Sequence, residues 1–460
     1  MLFALCVRKV IVVSGWVAPG FESVQQCFES NGELLGKGGG AYSAFVSGIP
    51  VVDIWAGSKR PGVAWDADTA AVIFSATKGL ASLCAQILVD RGELDLDAPI
   101  GDYWPEFATN GKQSALVRHI PLHSLGVLGL PGHEHILSWH GDGWDDYDAI
   151  ARALASATPR WVPGEKHAYH AVTFGWLIGE IVKRVSGVSI GTFFDKEVAQ
   201  PLGLDIFIGT PAQRHDRVAK VYGLSADGLP KWLSAFHEST VEKSRDPREM
   251  YGEAFLGNGV TSGLEMLDGF FDKPEVLGAE LPFGGASATA RSLAKLFALL
   301  ANGGELDGIR LVSQQSIEQF SKVQSNLPDE LAKTLDLPFL LRGSLTKPVP
   351  RSLGFMGNAV NNPMMGDFFG PFASSRGVQG LGGQVAFFDA ENAVAAAFVR
   401  SDPALIDTMH DKVTAELYRS LVARGALRAP LPKVGLGSQL ARRVGSRLMT
   451  GIQRKASAVV

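Results

Sequence analysis

Two stretches near the start of the chain, residues 41–46 and 51–55, are rich in β-branched, aromatic and small apolar side chains. They are separated by Ser47-Gly48-Ile49-Pro50, which predicts a hairpin. Near the other end, residues 384–388 and 393–399 flank Asp389-Ala390-Glu391-Asn392 in the same manner. Between these hairpins the apolar period changes. Leu80, Leu83, Cys84, Ile87 and Leu88 recur at helical spacing, and Gly92 is placed to end that helix. Phe174, Leu177, Ile178, Ile181, Val182 and Val185 form a second such stripe ending at Gly187. Leu293, Leu296, Phe297 and Leu300 form a third, ahead of Asn302-Gly303-Gly304. Hairpins at both ends with helices between them predict an α+β fold, in which one antiparallel sheet is closed by the two chain ends and flanked by helices. The stretch 214–283 is less regular and is expected to form a wall or flap. Residues 326–367, rich in Pro and Gly, read as connecting loops.

Composition narrows the class. The 460 residues are 46% hydrophobic and 20% charged, enough for a large core. A net charge of −4 gives no global attraction to nucleic acid, and no zinc-finger, P-loop or basic-aromatic pattern appears, so no nucleic-acid partner is expected. Three cysteines (Cys6, Cys27, Cys84) imply no disulfide framework. The apolar start is broken by Arg8 and Lys9, unlike a secretory leader, and no uncharged apolar run reaches membrane-spanning length. A cytoplasmic location is the expectation. Residues 424–460 hold eight basic residues (Arg424, Arg428, Lys433, Arg442, Arg443, Arg447, Arg454, Lys455) and no acidic one. They are set apart as a tail, either simply solvated or in weak peripheral contact with anionic lipid. Residues 1–20 are set apart as an extension and 21–423 as the main domain.

Candidate chemistry begins at Phe74-Ser75-Ala76-Thr77-Lys78. Positions i and i+3 share one helix face, so Lys78 can approach the Ser75 hydroxyl. A helix N-terminus favours a developing oxyanion and an uncharged lysine nearby. A serine hydroxyl needs an adjacent base, and either a neutral lysine or a tyrosinate beside a cationic lysine can serve. Tyr169 closes the loop Trp161-Val162-Pro163-Gly164-Glu165-Lys166-His167-Ala168, just ahead of the second helix, where its hydroxyl can reach a nucleophile. Gly380-Leu381-Gly382-Gly383 precedes the C-terminal hairpin, where a glycine-rich edge lets a substrate approach backbone N–H groups.

These pieces in this order resemble the serine β-lactamase-related superfamily, close to class C enzymes and family VIII carboxylesterases. Further matching segments are Asp90-Arg91-Gly92-Glu93-Leu94-Asp95-Leu96-Asp97-Ala98-Pro99, Gly284-Gly285 and Thr289-Ala290-Arg291. The resemblance implies a β-lactamase/transpeptidase-like fold, a mixed sheet with an all-helical subdomain, and an acyl-enzyme mechanism without cofactor or metal. It further implies that Ser75 attacks, Lys78 is its partner, Tyr169 is the base, and the N–H groups of Ser75 and Leu381 form the oxyanion hole. Gly380, Gln379 and His170 then border the substrate.

Three departures qualify this. The lactamase Tyr-x-Asn reads Tyr169-His170-Ala171, which removes a carboxamide. The third motif, Lys-Thr-Gly in lactamases, reads Val378-Gln379-Gly380, which removes a cation. Residues 120–130 depart from the usual pattern beside the site. The first two favour a small-molecule ester substrate over a β-lactam. Hydrolysis of an amide or lactam, and a catalytically decayed binding protein, remain alternatives.

Two other patterns invite chemistry. Gly187-Val188-Ser189-Ile190-Gly191 matches a nucleophile elbow, but a helix precedes it where the elbow requires a strand. His133, His135, His140, Asp142, Asp145 and Asp146 cluster in sequence without a zinc-ligand spacing, and read as a polar loop.

Overall fold

The computed structural model describes residues 11–137, 142–223, 249–254, 267–334, 348–359, 368–404 and 409–432. The main sheet contains β1 (Ser14–Val17), β2 (Gly39–Val46), β3 (Ile49–Arg60), β4 (Met356–Gly357), β5 (Arg376–Gly380), β6 (Gln384–Asp389) and β7 (Val394–Arg400). Their spatial order is β1-β3-β2-β7-β6-β5-β4. Every pairing along this path is antiparallel, so the sheet is not the mixed one implied by the resemblance. The predicted closure by the two chain ends is present as the β2–β7 ladder, which runs from Val394 opposite Val46 to Arg400 opposite Gly40.

The N-terminal hairpin is tighter than its four intervening residues suggested. Val46 pairs directly with Ile49, and Ser47 (φ 49°) with Gly48 (φ 78°) makes a two-residue turn. Positive φ at both central positions matches the right-handed twist of the flanking strands. Pro50 is tolerated because the ladder bulges at Ala44 and Phe45.

Alternation along the strands divides the core. Val394, Ala396 and Phe398 of β7 face α1 (Glu22–Ser30) and the C-terminal α6 (Met409–Ala423), where Val24, Phe28, Val413 and Leu417 are buried. Ala395, Ala397 and Val399 face the larger core with the remaining helices. The longest of these among the described residues are α2 (Thr77–Asp90), α3 (Tyr147–Ser156), α4 (Thr173–Ser186) and α5 (Ala290–Ala301). All three predicted helices form. α4 ends at Gly187 in the left-handed conformation, and α5 starts at Thr289, whose side chain accepts the Ser292 N–H. α2 is buried from Thr77 through Leu88, as expected of a central helix apolar on nearly all sides. Among the described residues no helix is long and apolar enough to cross a membrane. The tail beyond residue 432 lies outside the described residues, as do 224–248 and 255–266 of the expected wall.

Candidate active site

A short 3-10 turn, Phe74–Ala76, leads into α2 and carries Ser75. Phe74 has φ 45°, an uncommon value for an aromatic residue, and its ring packs edge-on against Phe271 at 5.3 Å. Backbone strain of this kind persists only where surrounding packing enforces it. One turn on, Lys78 is 5% exposed and its Nζ lies 3.4 Å from Ser75 Oγ. Nζ donates to the carbonyls of Ala171 and Phe283, both at 2.7 Å. The rings of Tyr169, Phe174 and Phe283 surround the nitrogen at 4.9, 5.8 and 5.9 Å. Burial drives the Lys78 pKa well below that of an ordinary lysine.

Tyr169 approaches from the other side, and its hydroxyl donates to Ser75 Oγ at 2.7 Å. Burial, opposed by that hydrogen bond, pushes the phenol up to about 12. Its loop is clamped to the segment preceding it in the core. Trp161 Nε1 and Gly164 N–H donate to Ser124 O, His167 Nδ1 donates to Leu122 O, and Ala168 N–H donates to His123 O. Residues 120–130, irregular against the family pattern, are therefore the buried platform on which the tyrosine loop rests. Asp329 accepts the Tyr169 N–H at 3.2 Å from the opposite flank.

The third element arrives at the end of β5. A Cβ on Gly380 would sit 2.1 Å from Ile73 O, so only glycine lets this strand end close against the residues leading into Ser75. Gln379 and Leu381 are half-buried there. Val378 is 4% exposed and packs on α2, with its Cγ1 filling the space a Cβ on Gly79 would need and Phe355 beside it. The motif position that carries a cation in lactamases is thus an apolar contact between strand and helix.

His170 is buried, its N–H donates to His123 Nδ1 at 3.1 Å, and its own Nδ1 donates to Ala168 O at 2.8 Å. Burial pulls its pKa down to about 3, so it packs as a neutral ring behind Tyr169. Sequence reasoning missed His123, Asp329 and Arg351. His123 stacks 4.9 Å from the Tyr169 ring, and Arg351 lies 3.7 Å from Asp329. The advance signs were that 120–130 departs from the family pattern and that 326–367, rich in Pro and Gly, reads as loops.

The first competing pattern resolves structurally. Ser189 caps the helix Ile190–Phe194 and donates to Glu280 at 2.6 Å, with α4 and not a strand ahead of it. His133 and His135 stack at 6.4 Å, and no group of three or more metal-ligating side chains occurs among the described residues, which exclude His140.

Residues 24–416 match the beta-lactamase family. The chain is 34% identical over 396 residues to the esterase/beta-lactamase LipL of Mycobacterium tuberculosis, an alignment covering 85% of this chain and 83% of LipL. It is 34% identical over 149 residues to esterase EstB of Burkholderia gladioli, covering 30% of this chain and 38% of EstB. The solved structure of a family VIII carboxylesterase is similar with TM-score 0.73 and 27% identity, covering 89% of this chain and 100% of that one. A penicillin-binding protein homologue from Caulobacter crescentus gives TM-score 0.72 and 30% identity over the same shares, 89% and 100%.

Proposed function

The chain belongs to the beta-lactamase family of serine hydrolases, and we propose that within it this enzyme is a carboxylesterase working through an acyl-Ser75 intermediate. One observation carries the reading. Two separate segments converge so that Ser75 Oγ meets the Tyr169 hydroxyl at 2.7 Å and Lys78 Nζ at 3.4 Å.

Burial favours the amine at Lys78 and the phenol at Tyr169. With two N–H groups committed to carbonyls, the amine has its lone pair free for the Ser75 proton. As Oγ attacks the ester carbonyl, the proton passes to the Lys78–Tyr169 pair, which titrates as a unit. The oxyanion is received by the N–H groups of Ser75 and Leu381; the former is one of the unpaired N–H groups of a helix start. When the C–O bond breaks, Tyr169 gives its proton to the departing alkoxide and Lys78 restores it. Water then attacks the acyl-enzyme by the same route and releases the acid.

The ester preference rests on what borders this centre. Ala171 offers no carboxamide to a β-lactam side chain, and Val378, apolar and buried, offers no anchor to a substrate carboxylate. Names of relatives agree, since LipL and EstB are esterases. LipL is also named a beta-lactamase, so cleavage of a lactam is the second activity to examine. A panel of p-nitrophenyl esters of increasing acyl length, with nitrocefin alongside and Ser75→Ala as control, tests the proposal. Ester turnover that exceeds nitrocefin turnover and vanishes in Ser75→Ala is expected. Nitrocefin turnover exceeding that of every ester would overturn the substrate assignment.

A further inference from the structure

The phenolate that forms when Tyr169 releases its proton needs positive charge around it, and Val378 supplies none. The titratable groups facing Tyr169 are Lys78 from α2, His123 from the 120–130 platform, His167 and His170 from its own loop, and Asp329 and Arg351 from the segments beyond α5. His123 and His170 are held neutral by burial. His167, depressed mainly by burial, donates from Nδ1 to Leu122 O. The remaining charges are Asp329, Arg351 and, once it has taken the Ser75 proton, Lys78.

Asp329 is the hub of these contacts. Its Oδ1 accepts the N–H of Tyr169 at 3.2 Å and that of Leu331 at 2.9 Å. Its Oδ2 lies 3.4 Å from His167 Nε2 and 3.7 Å from the Arg351 guanidinium. The Glu330 N–H donates to His167 O at 2.8 Å, so the two segments are also joined through the backbone. Arg351 is held by main-chain bonds in both directions with Ser325, at 2.9 and 3.2 Å, and its side chain is only 13% exposed. A guanidinium buried this deeply, with a carboxylate at 3.7 Å instead of a bidentate pair, leaves its charge incompletely compensated.

We propose that Asp329 and Arg351 are positioning residues for Tyr169. Asp329 fixes the Tyr169 backbone, and Arg351, 3.7 Å from Asp329, supplies the second positive charge that a phenolate needs where the third motif has lost its own. This rests on the reading of Tyr169 as proton donor to the leaving alcohol. The electrostatic directions agree: burial raises the phenol, Arg351 lowers it and Asp329 raises it.

The test compares kcat/KM, which reports acylation, for an alkyl ester and a p-nitrophenyl ester of the same acyl group. An alkoxide must be protonated to leave; p-nitrophenolate need not be. Arg351→Gln weakens Tyr169 as an acid, so the alkyl-to-nitrophenyl ratio should fall about three- to tenfold, with Arg351→Lys restoring it. Asp329→Asn keeps the acceptor for the Tyr169 N–H and removes the opposing charge, so the ratio should rise. Equal losses on both substrates in Arg351→Gln, or ratios moving in the same direction in the two variants, would overturn the proposal. If Arg351→Gln fails to fold, the Asp329→Asn ratio alone decides it, since a fall or no change contradicts the assignment. Turnover of both esters surviving Ser75→Ala would instead remove the nucleophile reading beneath it.

Discussion

Gly380→Ala is the perturbation whose effect follows most directly from the geometry. The added Cβ would lie 2.1 Å from Ile73 O and 3.0 Å from Gln384 Cβ. Non-bonded carbon and oxygen rarely approach within about 3 Å, so the strand end must withdraw by roughly 1 Å. Relief is available in one direction, because Gly380 is also paired with Gln384 of β6. Withdrawal carries Leu381 and its N–H away from Ser75, and a displacement of about 1 Å at a catalytic group costs on the order of 10²-fold in rate. The same crowding costs about 1–3 kcal/mol of stability, as overpacking generally does. The assay pairs kcat/KM on a short-chain p-nitrophenyl ester with the thermal midpoint. A loss of rate about 10²-fold in a protein that still unfolds cooperatively is expected. Activity within about twofold of the parent would refute the claim that β5 closes on the nucleophile.

Other outcomes follow from single contacts. Tyr169→Phe removes the hydroxyl at 2.7 Å from Ser75 and should lower kcat/KM by about 10²- to 10⁴-fold with little change in thermal midpoint. His170 binds a proton in the unfolded chain below about pH 6.5 but resists it in the fold until about pH 3, so the parent loses stability as pH falls through that window. In His170→Leu, thermal unfolding followed from pH 7 to pH 4 should show a shallower fall. Val378→Lys should gain no nitrocefin turnover and should lower the thermal midpoint, because position 378 faces Gly79 and Phe355 and the ammonium would be buried without a partner.

What could be read from the chain was what local pattern encodes. The stripes on α2, α4 and α5 and the strand runs at both ends follow from periodicity, and each forms, with β3 running on to Arg60 past the expected end at Trp55. Ser75 with Lys78 was legible because a helix start places both on one face. Gly380 was legible because close backbone approach restricts the residue to glycine. The turn at Ser47 and Gly48 was narrower than expected, since a serine gives no strong signal for positive φ. Asp329, Arg351 and His123 were not legible. They lie outside helices and strands, with no period to anchor them, and they reach Tyr169 only after segments up to 182 positions away have packed together. The resemblance pointed to a mixed sheet, whereas the ladder register makes each neighbour in it antiparallel. Val378 shows the limit from the other side. Its identity announced a lost cation, but only packing reveals that its side chain fills the space against Gly79.

The central claim is that Ser75 is the nucleophile. Intact-mass measurement after reaction with a fluorophosphonate, followed by peptide mapping and repeated on Ser75→Ala, tests it most directly. A single adduct on the peptide containing Ser75, loss of ester turnover in step with labelling, and neither labelling nor turnover in the variant are expected. An adduct on another serine, Ser189 included, or ester hydrolysis persisting in Ser75→Ala, would contradict it.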